Sequence, residues 1–412
     1  MIEYTRHILD NGLTIILHQD DSTPLVAVNM LYKVGSKNEH PDMTGFAHLF
    51  EHLMFGGSAN VPDFDAIIQN AGGENNAFTN SDLTNFYDIM PAQNLETALW
   101  LESDRMQQLN INEKTLEIQK KVVVEEFKET SLNKPYGDLW HHLSDLAYSS
   151  HPYRWPTIGL VPEHIEEAKL NDVKYFFDNH YTPNNAVLVL SGKFQEKEAL
   201  DKIEKWFGDI PASKVGANKL SPEPKQSSYR HKEIFGAVPA NALYMAFHMP
   251  DRLHPDFSTY DIMSDILSGG RSCRLYQNLL KKTEVFSHVD AYITGTIDPG
   301  LFMIDAKLMG DEDVEKAQYL IWHELQTLKD VKIPTEELEK VKNGLISSIC
   351  FSEVSIIHKA INIAYYEMLG DVSLINRQEE DYIKISAEDI QRVAKETFVK
   401  KNCSEINYFK ES

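Results

Sequence analysis

Only three cysteines, Cys273, Cys350 and Cys403, occur in the 412 residues, and no two of them form a C-x-x-C pair. That usage fits a reducing compartment and carries no thiol chemistry of its own. Long apolar runs are missing too. No stretch reaches membrane-spanning length, and the start Met1-Ile2-Glu3-Tyr4-Thr5-Arg6-His7 has no apolar core of signal-peptide size. The expectation is a cytoplasmic chain, unless a targeting segment was removed before this numbering begins. Basic residues are short as well: 40 Lys and Arg stand against 62 Asp and Glu, a formal net charge of −22. This argues against nucleic acid or an anionic membrane surface as partner. It is compatible with a cavity that attracts basic peptides, although such a balance is more often a solubility device.

What is present is a soluble globular composition, 42% hydrophobic and 25% charged, in a chain too long for one ordinary core. Its most informative segment is His48-Leu49-Phe50-Glu51-His52. On a helix, residues four apart stack one turn above each other, so His48 and His52 are able to turn their ring nitrogens to one metal ion. Glu51 borders that position without having to ligate it, and from there a carboxylate takes a proton from water held at the metal. The order H-x-x-E-H is the inverzincin signature, the reverse of H-E-x-x-H. Gly45-Phe46-Ala47 leads in and Leu53-Met54-Phe55-Gly56-Gly57 leads out, giving apolar positions at helical spacing and a glycine stop.

A catalytic zinc has three protein ligands and one open position, so a third ligand comes from elsewhere in the chain. The helix-like stretch from Lys114 to Phe127 ends in Glu125 and Glu126, which cannot share a helix face. At most one of the two ligates.

With Gly45 to Phe55, Gly72-Gly73-Glu74-Asn75-Asn76-Ala77-Phe78-Thr79 and Val122-Val123-Val124-Glu125-Glu126, the chain resembles the M16 metallopeptidases. These include the mitochondrial processing peptidases, pitrilysin and insulin-degrading enzyme. The likeness continues in Tyr153 to Gly159 and in His180 to Leu190, and so covers the first half. The resemblance implies one zinc ion per chain, held by His48, His52 and Glu126, with Glu51 activating water. Two histidines and a carboxylate also accept manganese or cobalt. The family often carries a further glutamate where this chain has Gln119. The resemblance also implies that Asn75, Asn76, Ala77, Phe78 and Thr79 form a substrate-binding strand that pairs with an extended peptide.

The chain runs twice through the same order of elements. His40-Pro41-Asp42 and Gly56 in the first half correspond to His254-Pro255-Asp256 and Gly270 in the second, both displaced by 214 (254 − 40; 270 − 56). On that register His48 falls on Ile262, Glu51 on Asp265 and His52 on Ile266. Ile111 to Glu126 likewise resembles Ile333 to Ser348, and Asp172 to Asn185 resembles Asp389 to Asn402. Three echoes in one order indicate duplication, with the chemistry kept only in the first copy. Early strands such as Val26-Ala27-Val28-Asn29-Met30-Leu31-Tyr32 precede any helix. The expected fold is therefore α+β: two homologous domains, 1–210 and 229–412, joined by a linker at 211–228, each a largely antiparallel sheet with helices on one side.

Many M16 enzymes carry an arginine and a tyrosine, seven positions apart in the second half, that hold the substrate and polarise its carbonyl. On the natural register those positions are Leu280 and Ser287 here. Lys281 and Lys282 lack the planar fork of a guanidinium. The expectation is a zinc endopeptidase working as the metal-bearing subunit of a heterodimer, a homologous subunit supplying the missing pair, or otherwise a homodimer. The alternatives are a non-catalytic assembly subunit and a hydrolase of something other than peptide.

Overall fold

Alternating apolar side chains in the first half of the sequence build a six-stranded sheet. The computed structural model describes residues 1–213, 220–310 and 313–411. The strands are β1 (Thr5–Ile8), β2 (Thr14–Gln19), β3 (Leu25–Tyr32), β4 (Glu74–Thr79), β5 (Thr84–Pro91) and β6 (Ala186–Gly192). They lie in the order β1-β2-β6-β3-β5-β4, and every pairing is antiparallel except that of β2 with β6. On β3, Val26, Val28, Met30 and Tyr32 turn to one face. There they meet the helices Phe46–Phe55, Leu95–Gln107 and Leu170–His180 in the main core.

The opposite face is covered as well. Ala27 and Leu31 turn to it together with Ile16, Val187 and Val189, and Ala360, Ile363 and Ala364 of the helix Ile356–Met368 close over them. Helices were expected on one side only. The second face is dry because a helix from the far half of the chain lies on it, and Asn29, buried on that face, is satisfied by paired amide bonds with Asn85 at 3.0 and 2.8 Å.

A second sheet comprises β7 (Arg230–Gly236), β8 (Ala242–His248), β9 (Phe286–Ile293), β10 (Leu301–Leu308) and β11 (Cys403–Lys410), in the order β7-β11-β8-β10-β9. It repeats β2-β6-β3-β5-β4 in order and direction, down to the one parallel pair, β7 with β11. One face carries the helices Phe257–Ser268, Val314–Asp330 and Ala387–Thr397. Leu139, Leu143 and Ala147 of the helix Leu139–Ala147 cover the other.

Two compact units result. One is Met1–Glu129, Trp155–Leu220 and Cys350–Arg377; the other is Thr130–Arg154, Ser221–Ile349 and Gln378–Ser412. The division at Leu220 falls within the expected linker, of which 214–219 lies outside the described residues. The units differ from a single cut in sequence by two exchanged segments, 130–154 and 350–377. Helical periodicity tells that a face is buried, not which sheet buries it. Among the described residues no single helix is long and apolar enough to cross a membrane, and all three cysteines are free.

Candidate metal centre

The helix Phe46–Phe55 buries Phe46, Ala47, Leu49, Phe50, Leu53 and Met54 and leaves His48, Glu51 and His52 on its half-exposed side. The segregation follows from 3.6 residues per turn. Its start is fixed by Gly45 at φ 88°, where a Cβ would stand 2.8 Å from the Ile158 carbonyl oxygen. Only glycine meets both demands.

A residue that sequence reasoning missed also fixes this start. Glu39 is buried, and its two carboxylate oxygens accept the Gly45 N–H at 2.9 Å and the Ala47 N–H at 2.8 Å. Burial drives its pKa up to about 8 against those donors. Thr44 adds a second tie: its hydroxyl lies 2.8 Å from His164 Nδ1 and accepts the Leu160 N–H at 2.8 Å. Glu39 sits six residues before the helix cap, outside any capping-box spacing, so no local signal marks it.

The second helix, Glu113–Phe127, buries Leu116, Val123, Val124 and Phe127. That rotation sends Glu125 to solvent, where it accepts from Lys128 Nζ at 2.7 Å, and turns Glu126 toward the histidines. Glu126 Oε2 lies 3.3 Å from His52 Nε2, and Oε1 lies 3.7 Å from His48 Nε2. The imidazole rings stand edge to face, centroids 4.8 Å apart. Gln119 approaches the end of the metal-motif helix, its Nε2 3.7 Å from where a Cβ on Gly56 would be. Directly after the glutamates the helix loosens into a π-turn, Lys128–Leu132, a distortion common beside functional sites.

The donor set suits a zinc ion. His48, His52 and Glu126 each offer a ligand atom, all within 4.8 Å of one another. Ligands about 2.0–2.1 Å from one ion at tetrahedral angles stand about 3.3 Å apart, close to the 3.3 Å between His52 and Glu126. Burial is the main influence on His48 and lowers its pKa; Glu126 opposes this, and His52 adds to it. The neutral, ligating imidazole is thereby favoured. His48 Nδ1 is buried and has no hydrogen-bond partner among the described residues.

The five residues of the expected substrate strand lie on β4, with Glu74 before them, at an edge of the first sheet and packed against the metal-motif helix. They do not all face one way. Asn75, Ala77 and Thr79 are half-buried, whereas Asn76 and Phe78 are exposed. Asn76 folds back so that its Oδ1 accepts the Ala77 N–H at 2.8 Å. A strand laid along this edge competes for that donor.

In the second unit the helix Phe257–Ser268 puts Ile262 and Ile266 in the core, at 0% and 1% exposure, where the first copy has histidines. Leu280 ends a π-turn, Tyr276–Leu280, and Ser287 lies on β9 with its hydroxyl donating to the Lys307 and Leu308 carbonyls. Lys281 and Lys282 bond to Gln277 and Asn278 of the same turn.

Residues 14–159 match the profile of the family described as Insulinase (Peptidase family M16), and residues 167–345 match that of the Peptidase M16 inactive domain. The chain is 29% identical over 399 residues to the zinc protease PqqE of Helicobacter pylori, spanning 95% of this chain and 89% of that protein. To the probable mitochondrial-processing peptidase subunit beta of Schizosaccharomyces pombe it is 24% identical over 405 residues, 94% and 87% of the two chains. The crystal structure of a protease from Helicobacter pylori superposes with a TM-score of 0.95 at 27% identity, over 99% of this chain and 100% of that one.

Proposed function

Because the chain belongs to peptidase family M16, we propose that it is a zinc-dependent endopeptidase that hydrolyses extended peptides. The observation that carries this reading is the convergence of His48, His52 and Glu126 beside Glu51, on a helix that packs against the edge strand of the sheet. His48, His52 and Glu126 hold the ion, one per chain. Zinc, when bound there, supplies Lewis acidity to a peptide carbonyl and to water. Glu51, on the same helix and outside the ligand set, takes the proton of the attacking water and returns it to the leaving amine. The main chain of β4 holds the peptide by strand addition, with the Asn76 side chain yielding the Ala77 N–H.

The chain acts in this proposal as the metal-bearing subunit of a heterodimer. Leu280 and Ser287 offer no cation and no phenol, so donors to a developing oxyanion come from a homologous partner or, failing that, from a second copy. The similarity to a processing-peptidase subunit supports this arrangement. The free cysteines accord with a cytoplasmic site of action.

The second reading is a non-catalytic assembly subunit, with which the match of residues 167–345 to an inactive domain is compatible, as it is with the first reading. One experiment separates the two: zinc content and cleavage of unstructured peptides, for wild type and Glu51→Gln, with and without a homologous subunit. Wild type that binds zinc and cleaves, with a variant that binds zinc and does not, supports the endopeptidase. Absence of zinc and of cleavage under both conditions overturns it.

A further inference from the structure

Beneath β4 lies a group of buried polar atoms that the proposed chemistry does not use. Asp88 on β5 is 1% exposed, and neither of its carboxylate oxygens has a hydrogen-bond partner among the described residues. Directly opposite it in the β4–β5 register stands Asn75, whose Nδ2 is also buried without a partner. The third member is Arg105, on the helix Leu95–Gln107. Its Nε donates to Glu102 at 2.9 Å and its guanidinium lies over Phe86 and Phe64, 4.4 and 5.0 Å from the ring centroids. Its Nη1 is left over. Asp88 and Arg105 feel each other's charge without touching.

The inventory is complementary: Asn75 Nδ2 and Arg105 Nη1 are spare donors and Asp88 is a spare acceptor, with Asn75 the one directly across the strand pair and Arg105 held in addition by the charge of Asp88 and the nearby Tyr32. Residues directly opposite on antiparallel strands hold their Cβ atoms roughly 4.5–5.5 Å apart. At that separation a turn about the Asn75 side chain, or a single water, closes a bond from Asn75 Nδ2 to Asp88. An edge strand needs such a tie, because only β5 holds it through the main chain.

We propose that Asp88 is a positioning residue for the peptide-binding edge: it anchors the Asn75 side chain and so holds β4 in place for an incoming strand. Asn75 then serves the strand from within, and the peptide meets Asn76, Ala77 and Phe78. The proposal rests on the endopeptidase reading for its kinetic consequence but not for its structural one. The bland alternative is that Asp88 merely balances Arg105 in the core. The two differ in where a substitution is felt.

The test uses the full chain carrying Asp88→Asn, Asn75→Leu or both. Amide hydrogen exchange across Glu74–Thr79 is expected to rise roughly five- to tenfold in each variant, with β3 and the metal-motif helix unchanged and zinc content as in wild type. The double variant is expected to exchange no faster than either single one, since both break one tie. With peptide substrate, KM rises severalfold while kcat stays within about twofold. Faster exchange over the whole sheet, or additive effects of the two substitutions, overturns the anchor. Should the wild type cleave no peptide under any condition, the exchange pattern still decides the anchor separately from the protease reading.

Discussion

Lys359 and Asp20, 339 positions apart, form an ion pair at 2.6 Å inside the first unit. The Lys359 ammonium and the Ser22 hydroxyl hold the Asp20 carboxylate far below its ordinary pKa. Around it, Arg6 pairs with Glu367, and Ile2 exchanges two main-chain bonds with the Asn376 side chain at 2.7 and 3.0 Å. The beginning of the chain is thus tied to a segment that follows most of the second half.

A fragment ending at Leu220 lacks that segment and bares Ile16, Leu31, Val187 and Val189, all fully buried in the whole chain. At about 1.5–3 kcal/mol per side chain, roughly 6–12 kcal/mol of burial is lost, comparable to the whole net stability of a domain. Fragment 1–220 is expected to show no cooperative urea transition and to bind a hydrophobic dye. Adding a peptide spanning 350–377 should restore part of the transition.

Glu126→Ala should release the metal. Removing one of three ligands is expected to weaken zinc by more than the roughly 10- to 100-fold typical of lost supporting contacts, as measured by competition with a chelator dye. Glu125→Ala, which changes only a surface pair with Lys128, should leave zinc affinity within about twofold.

Glu51→Gln keeps the shape of the side chain and removes the base. Zinc content stays at the wild-type level, and kcat for peptide cleavage falls by roughly 10²–10⁴. A fall in KM alone, with kcat unchanged, would exclude Glu51 from proton transfer.

Leu280→Arg together with Ser287→Tyr tests the divided site. If a partner supplies these groups, the chain alone is slow, and adding the partner raises turnover by roughly 10²–10³, the usual worth of an oxyanion donor. The double variant is not expected to reproduce this on its own, because Ser287 is committed to β10 carbonyls. Turnover of each chain measured with and without partner decides it.

Glu223 fastens the exchanged segment of the second unit, accepting main-chain N–H groups from Ser149, Ser150 and His151 at 2.8, 2.9 and 3.0 Å. Burial works to raise its pKa, but these donors outweigh it and bring it from 4.5 to about 2. A depressed carboxylate contributes its full stabilisation above pH 4.5 and loses it as the pH falls toward 2. Glu223→Gln should therefore lower the urea midpoint at pH 7 and differ little from wild type near pH 2.

Much of the site was legible because its logic is local. The placing of His48 and His52 one turn apart on one side follows from helix geometry, and the contrast with Ile262 and Ile266 follows from comparing two copies of one helix. The choice of Glu126 over Glu125 came from the family resemblance, and its physical reason is the rotation of a second helix, which Val123, Val124 and Phe127 set by burying themselves. What stayed hidden has no local pattern to announce it. Glu39 reaches forward to a helix start from outside any capping spacing, Asp88 is paired with Asn75 only by the register of two strands, and Ile356–Met368 looks like any amphipathic helix until the sheet beneath it is known.

The exchange of segments 130–154 and 350–377 also sets a clock on biosynthesis. The strands of the first sheet and the helices bearing His48, His52 and Glu126 are complete once Gly192 has been made, yet one face of the sheet stays open until Arg377 emerges. At about 5–20 residues per second the interval is roughly 10–40 s. For that time the nascent first unit displays an apolar sheet face, which is the kind of surface a chaperone holds, and the unit cannot complete its fold before Arg377 has emerged.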